Sequence, residues 1–259
     1  MEQEKIRLGG MALANGVLVH GPTSWACAVR TGDGSVKVAS GAKPRFAAGV
    51  QTPFLRGPLR LAEAFALLPE VRRRLPEARL PFERPRVLAA VAIGSTIGAA
   101  ARRSALSTGA REAVVALASL VPAALALRGG ELAGYHGAEH VSIGTYENDA
   151  PATKEHERCG SHLVGPLLLL TAAASALAAK APPSARPAAR LAGTLGAVGA
   201  SVEVFAWMSR HPGHPLARAL ARPGHELQRR LSTEDPSPDQ LEVAEAALAA
   251  CLELEERAA

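Results

Sequence analysis

Residues 134–140 read Gly134-Tyr135-His136-Gly137-Ala138-Glu139-His140. The spacing is H-x-x-E-H. On a helix, positions four apart share a face, so the imidazoles of His136 and His140 can bind one ion. Glu139 stands one residue before the second histidine, where it can act as general base on a metal-activated water. This is the reverse of the H-E-x-x-H zinc order, and a zinc-protease pattern in its own right. Two neutral imidazoles with a carboxylate suit zinc, and manganese or iron less well. Zinc would bring the pKa of a water to about 7. The competing reading is a surface helix end whose histidines bond to solvent or cap carbonyls. Gly137, a weak helix former, sits inside the motif.

A catalytic zinc needs a third protein ligand. Glu203 is one candidate, because it is the only acidic residue in a long apolar run and a buried carboxylate is costly unless paired or bound. H-x-x-E-H peptidases also take a downstream glutamate. Pairing of Glu203 with an arginine is the structural alternative. His156 and Cys159 are the others, and their H-x-x-C spacing could complete a closed site; as a lone residue Cys159 also reads as a small core side chain. Tyr135, Tyr146, Glu147, His156, Arg158, Cys159 and His162 make the region dense in polar side chains. His211, His214 and His225 stand among Pro and Gly and read as loop residues. There is no phosphate-cradling glycine motif and no G-x-S-x-G element.

The elements around this motif fall into three stretches. In 1–57, strands are expected at Leu13–His20, Trp25–Arg30 and Ser35–Ala39, with Thr31-Gly32-Asp33-Gly34 as a hairpin turn. In 58–210, a helix over 58–79 is followed by four uncharged or nearly uncharged runs: Val87–Ala101, Ala113–Leu127, Val164–Ala179 and Leu191–Met208. Arg102, Arg103, Arg111, Arg128, Lys180, Arg190 and Arg210 flank them. A spanning helix wants about 20 apolar residues, with a lower limit near 17, and three of the runs fall below that limit, so membrane helices and an alanine-rich soluble bundle compete. The polar segment 128–163 separates the two pairs. In 211–259, a short helix over Pro215–Arg230 precedes an amphipathic helix at Gln240–Glu256, with Leu241, Ala244, Leu248, Cys251 and Leu252 on one face.

Composition narrows the classes. The chain has 259 residues, 48% apolar and only 3% aromatic, which excludes disorder as the main state. Three well-separated cysteines, Cys27, Cys159 and Cys251, suggest reduced thiols. The charged start, Met1 to Arg7, shows no secretory leader. Residues 1–86 carry 14 Lys+Arg against 7 Asp+Glu, yet without aromatic interleaving or a binding motif, so no nucleic-acid partner is expected.

Several segments together resemble one family. These are Gly9-Gly10-x-Ala12, Gly16-Val17, Gly21-Pro22, Pro53-Phe54-Leu55-Arg56-Gly57, the central Gly134 to His140 motif, Tyr146-Glu147, Arg158-Cys159-Gly160, Glu203, Leu227-Gln228, Ser232-Thr233 and Gln240-Leu241-Glu242-Val243-Ala244. On these the chain is similar to the YqhQ-like bacterial family of unknown function, which is described as metal-dependent and membrane-associated. The resemblance runs nearly end to end and implies Gln228 as part of the polar cluster. It departs at Met11, Asn15 and His20, where the family carries Gln, Glu and Arg, and at Val141, where it carries Lys. Should those family residues bind substrate, this chain is a divergent or inactive member.

The expectation is an α+β protein: a small N-terminal β unit, an alanine-rich four-helix middle embedded in the membrane, and a helical C-terminal unit. Its function is that of a membrane-associated protein binding a divalent metal, zinc, as a hydrolase of unknown substrate. His136, His140 and Glu203 would hold the ion and Glu139 would act as base. With four spans, the termini and the polar segment share a side carrying 23 Lys+Arg against 6, the cytoplasmic one. The alternatives are a non-enzymatic membrane scaffold and a soluble cytoplasmic protein.

Overall fold

A computed structural model describes residues 5–127 and 130–258. The start of the chain, residues 1–4, and the flanking Arg128 lie outside them. The expected α+β class holds. An antiparallel four-stranded meander, β1 (Gly9–Leu13), β2 (Gly16–His20), β3 (Ser24–Arg30) and β4 (Val36–Ala42), is followed by helices. The expected strand Leu13–His20 is two strands. The chain reverses at Ala14-Asn15, between the paired residues Leu13 and Gly16. Asn15 holds that reversal by donating to the carbonyls of Arg30 and Glu77 and accepting from Arg79 N–H. The turn after β3 lies at Thr31 to Gly34 as expected, with Gly34 at φ +85°.

The sheet buries both faces, and the period-2 alternation of β2 and β3 divides them. Val17, Val19, Ala26 and Ala28 face α5 (Glu131–Asn148) and α9 (Pro238–Ala258). Leu18, Trp25, Cys27 and Val29 face Leu67, Leu68 and Val71 of α2 (Leu67–Arg74) and the loop behind it. The core therefore draws on all three stretches of the chain. The expected helix over 58–79 is α1 (Arg56–Phe65) and α2, which ends at Arg74 ahead of Pro76. α9 docks through Val243, Ala244, Ala247 and Cys251. Its buried Glu255 accepts from Thr23 N–H and Oγ1 and from Ser24 N–H, which ties the end of α9 to the β2–β3 turn.

The four apolar runs form two helical hairpins: α3 (Pro85–Arg103) with α4 (Thr108–Leu127), and α6 (Val164–Ala179) with α7 (Arg186–Arg210). Among the described residues, Gly160–Ala179 and Arg186–Arg210 are long and apolar enough to cross a membrane by length and composition. α8 (Pro215–Leu227) and a π-helical turn, Gln228–Ser232, lead back towards α5. His225 lies within α8 rather than in a loop. His214 is the N-cap of α8, accepting from Leu216 N–H.

Candidate metal centre

α5 carries the motif on a helix that is buried over most of its length. His136 and His140 fall one turn apart, with ring centroids 4.4 Å from each other. Each ring is held by a backbone carbonyl. Nδ1 of His136 donates to the Ser232 carbonyl at 2.7 Å, and Nδ1 of His140 to the Lys154 carbonyl at 2.6 Å. A carbonyl can only accept, so in the neutral rings the proton is on Nδ1 and the lone pair on Nε2. This arrangement orients a ligating histidine. Burial drives His140 down to about 3, which keeps it neutral.

The third donor is a thiol. Cys159 Sγ stands 3.7 Å from His136 Nε2, and one ligand atom from each of His136, His140 and Cys159 lies within 4.8 Å of the others. Ligand atoms around a tetrahedral zinc sit roughly 3.3–3.6 Å apart, from bond lengths of about 2.0–2.3 Å. The 3.7 Å separation of Cys159 and His136 and the N, N, S donor set both suit that ion. Burial pushes the Cys159 thiol up, so a proton would leave it as an ion bound.

Glu139 is buried beside this cluster. Burial raises its carboxyl to about 7, against the pull of His136. Gly10 on β1 makes room for it, since a Cβ there would overlap the Glu139 carboxylate. Gly137 does the same for the backbone: a Cβ would overlap the Glu234 carbonyl oxygen, so glycine lets the 232–234 segment lie against α5. That contact is what brings the Ser232 carbonyl to His136. Glu234 N–H donates to the Ala133 carbonyl at 3.0 Å alongside it.

Gln228 organises the loop that delivers Cys159. Fully buried in the π turn, it accepts from His156 N–H at 2.8 Å and donates to the His156 carbonyl at 3.2 Å. It also meets Ser161 Oγ at 2.7 Å and His162 Nε2 at 3.1 Å. π turns recur at functional sites because they aim one residue out of helical register. His156 is turned to Glu147 at 3.2 Å, and Arg158 pairs with the same carboxylate. Tyr146 carries Lys5 over its ring at 5.1 Å. Tyr135 is buried in the core against the sheet.

Glu203 is engaged elsewhere. Its carboxylate takes Arg56 Nε at 2.9 Å and a second bond from the same guanidinium. A bidentate arginine pair satisfies a half-buried carboxylate without any ion. Glu203 is outside the group of His136, His140 and Cys159 that could hold an ion. The sequence allowed carbonyl partners for the histidines and an arginine for Glu203, but had no signal that these are Ser232, Lys154 and Arg56, which come from far along the chain or act through backbone alone.

The cluster lies on the wall of a cavity of about 700 Å³ that also touches Met11, His20 and Ser232. Two of the three N-terminal departures thus face the same space as the donors. The third, Asn15, brackets the β1–β2 turn.

Residues 130–254 match the model of a family described as a protein of unknown function (DUF1385). The match spans α5, the loop bearing Cys159, α6 to α8 and most of α9, and so contains every donor of the cluster. No curated protein and no solved structure matches the chain.

Proposed function

We propose that the protein is a membrane-embedded, zinc-dependent hydrolase whose ion is held by His136, His140 and Cys159. The observation that carries this is the donor geometry: two imidazoles, each fixed by a carbonyl at Nδ1, stand with the half-buried Cys159 thiol so that one ligand atom of each lies within 4.8 Å of the others. Three protein donors leave a fourth position open, which is the pattern of catalytic rather than structural zinc. Bound zinc would supply a Lewis acid that makes water nucleophilic at neutral pH.

Glu139 does the proton work. It takes a proton from the attacking water as the new bond to oxygen forms. It returns that proton to the leaving group as the scissile bond breaks, so the carboxylate ends as it began. A carboxyl near 7 suits both halves of the exchange. The ring carbonyl bonds, the π turn and Gln228 hold the donors in place.

The membrane part of the reading rests on burial. In each of the two long apolar helices only 22% of the apolar window is buried inside the protein, which suits lipid around them. Exposed Leu88, Val91, Ile93, Leu117 and Val121 extend this to α3 and α4. Four spans put both termini and the metal loop on the arginine-rich, cytoplasmic side.

The test is elemental mass spectrometry on protein purified without chelator or metal-affinity resin. About one equivalent of zinc is expected in wild type and none in His136→Ala/His140→Ala. A folded wild type devoid of metal overturns the hydrolase. Extraction of the protein from membranes by alkaline carbonate overturns the spans.

A further inference from the structure

We infer that the substrate is a single-chain amphiphile, with its apolar chain in the cavity and its cleavable polar group at the donor cluster. This deepens the hydrolase reading and rests on it. At about 700 Å³ the cavity is in the range that encloses a small molecule. Its lining joins two kinds of chemistry. One part is His136, Glu139, His140 and Cys159, together with Ser232. The Ser232 hydroxyl is fully buried and has no hydrogen-bond partner among the described residues. A buried hydroxyl left unpaired is costly, and a polar group of a ligand there would satisfy it.

The other part is apolar, and Leu61 and Phe65 of α1, Phe82, Val87 of α3 and Pro122 of α4 contribute to it. The charged groups on the cavity wall are Glu139, in the donor motif, and Arg158, which is already paired with Glu147. A charged peptide would therefore find few partners along this wall, whereas an alkyl chain would be desolvated by its apolar part. Leu61, Phe65 and Phe82 line the cavity yet are 42%, 51% and 45% exposed, so they form its mouth. Leu88 and Val91 continue the exposed apolar surface along α3. A chain can enter there directly from a lipid phase.

The probe is a long-chain alkyl hydroxamate carrying a diazirine in mid-chain, applied to the full-length protein in lipid nanodiscs and mapped by peptide mass spectrometry. Labels are expected on 61–65 and 82–87. Ala64→Trp places a bulky ring on the half-buried α1 wall, on a different element from the donors. It should abolish that labelling while zinc content is retained; Leu61→Trp at the exposed mouth serves if the first variant does not fold. Labels confined to α6 and α7, or unchanged by both blockers, overturn the amphiphile inference and leave the metal centre standing. Cavity labelling in a wild type that holds no zinc overturns the hydrolase reading and leaves the apolar site standing.

Discussion

The sulfur of Cys159 stands 3.7 Å from Nε2 of His136, although 23 residues separate them. The helix supplies two donors one turn apart, and a loop returning over its end supplies the third. Cys159→Ser should keep the fold and weaken zinc binding by more than about 100-fold, since altering groups behind the ligands already costs about 10–100-fold. Glu203→Gln should leave zinc content unchanged, because that carboxylate is spent on Arg56. Cobalt substitution checks both: the sulfur-to-cobalt absorption should survive Glu203→Gln and vanish in Cys159→Ser.

Gln228 holds that loop from the opposite side. Gln228→Ala leaves the His156 N–H and carbonyl without their partner and cuts the bonds to Ser161 and His162. Each buried group left unsatisfied costs about 1–3 kcal/mol, so a loss of about 2–4 kcal/mol is expected in denaturant unfolding. Zinc affinity, read by chelator competition, should fall by about tenfold or more as Cys159 loses its placement. A loss of stability with full affinity would make Gln228 a core residue only.

What was legible in the sequence follows from what is local. The H-x-x-E-H spacing placed His136, Glu139 and His140 on one helix, and the apolar runs marked α3, α4, α6 and α7, because periodicity and hydropathy are properties of neighbouring residues. The Thr31–Gly34 turn was legible for the same reason. The hairpin inside Leu13–His20 was not, because Asn15 holds it through bonds to Arg30 and Glu77, which no short window contains. The partners of Glu203 and Cys159 were open for the same reason. Arg56 and Glu203 are 147 residues apart, and a carboxylate in an apolar run looks alike whether an ion or an arginine answers it.

Gly137 illustrates a local rule overruled by packing. Replacing glycine by alanine in a helix interior ordinarily stabilises by about 1 kcal/mol. Here the new Cβ would overlap the Glu234 carbonyl oxygen, which is backbone and cannot swing aside. Overpacking of this kind costs about 1–3 kcal/mol. Gly137→Ala should therefore forgo that gain, destabilise by up to about 2 kcal/mol net and displace the Ser232 carbonyl from His136. Thermal unfolding gives the sign, and a stabilised variant would show that the 232–234 segment does not lie against α5.

Glu139 gives the protein a pH signature that can be read without substrate. Burial raises its carboxyl from 4.5 to about 7, so folding favours the protonated form. The associated stability is fully present below about pH 4.5, declines as pH rises, and is gone above about pH 7. Over that span the linkage amounts to roughly 3 kcal/mol. His140 and His20, lowered by burial to about 3 and about 4, act oppositely and lose stability as the solution is acidified. Both rings are present in Glu139→Gln, so the difference between wild type and variant isolates the carboxyl. Unfolding of the chelator-stripped proteins should show wild type losing roughly 3 kcal/mol relative to the variant between about pH 4.5 and about pH 8. A difference that does not change with pH would mean that the carboxylate is already ionised in the folded state at low pH, and would remove Glu139 as the proton carrier.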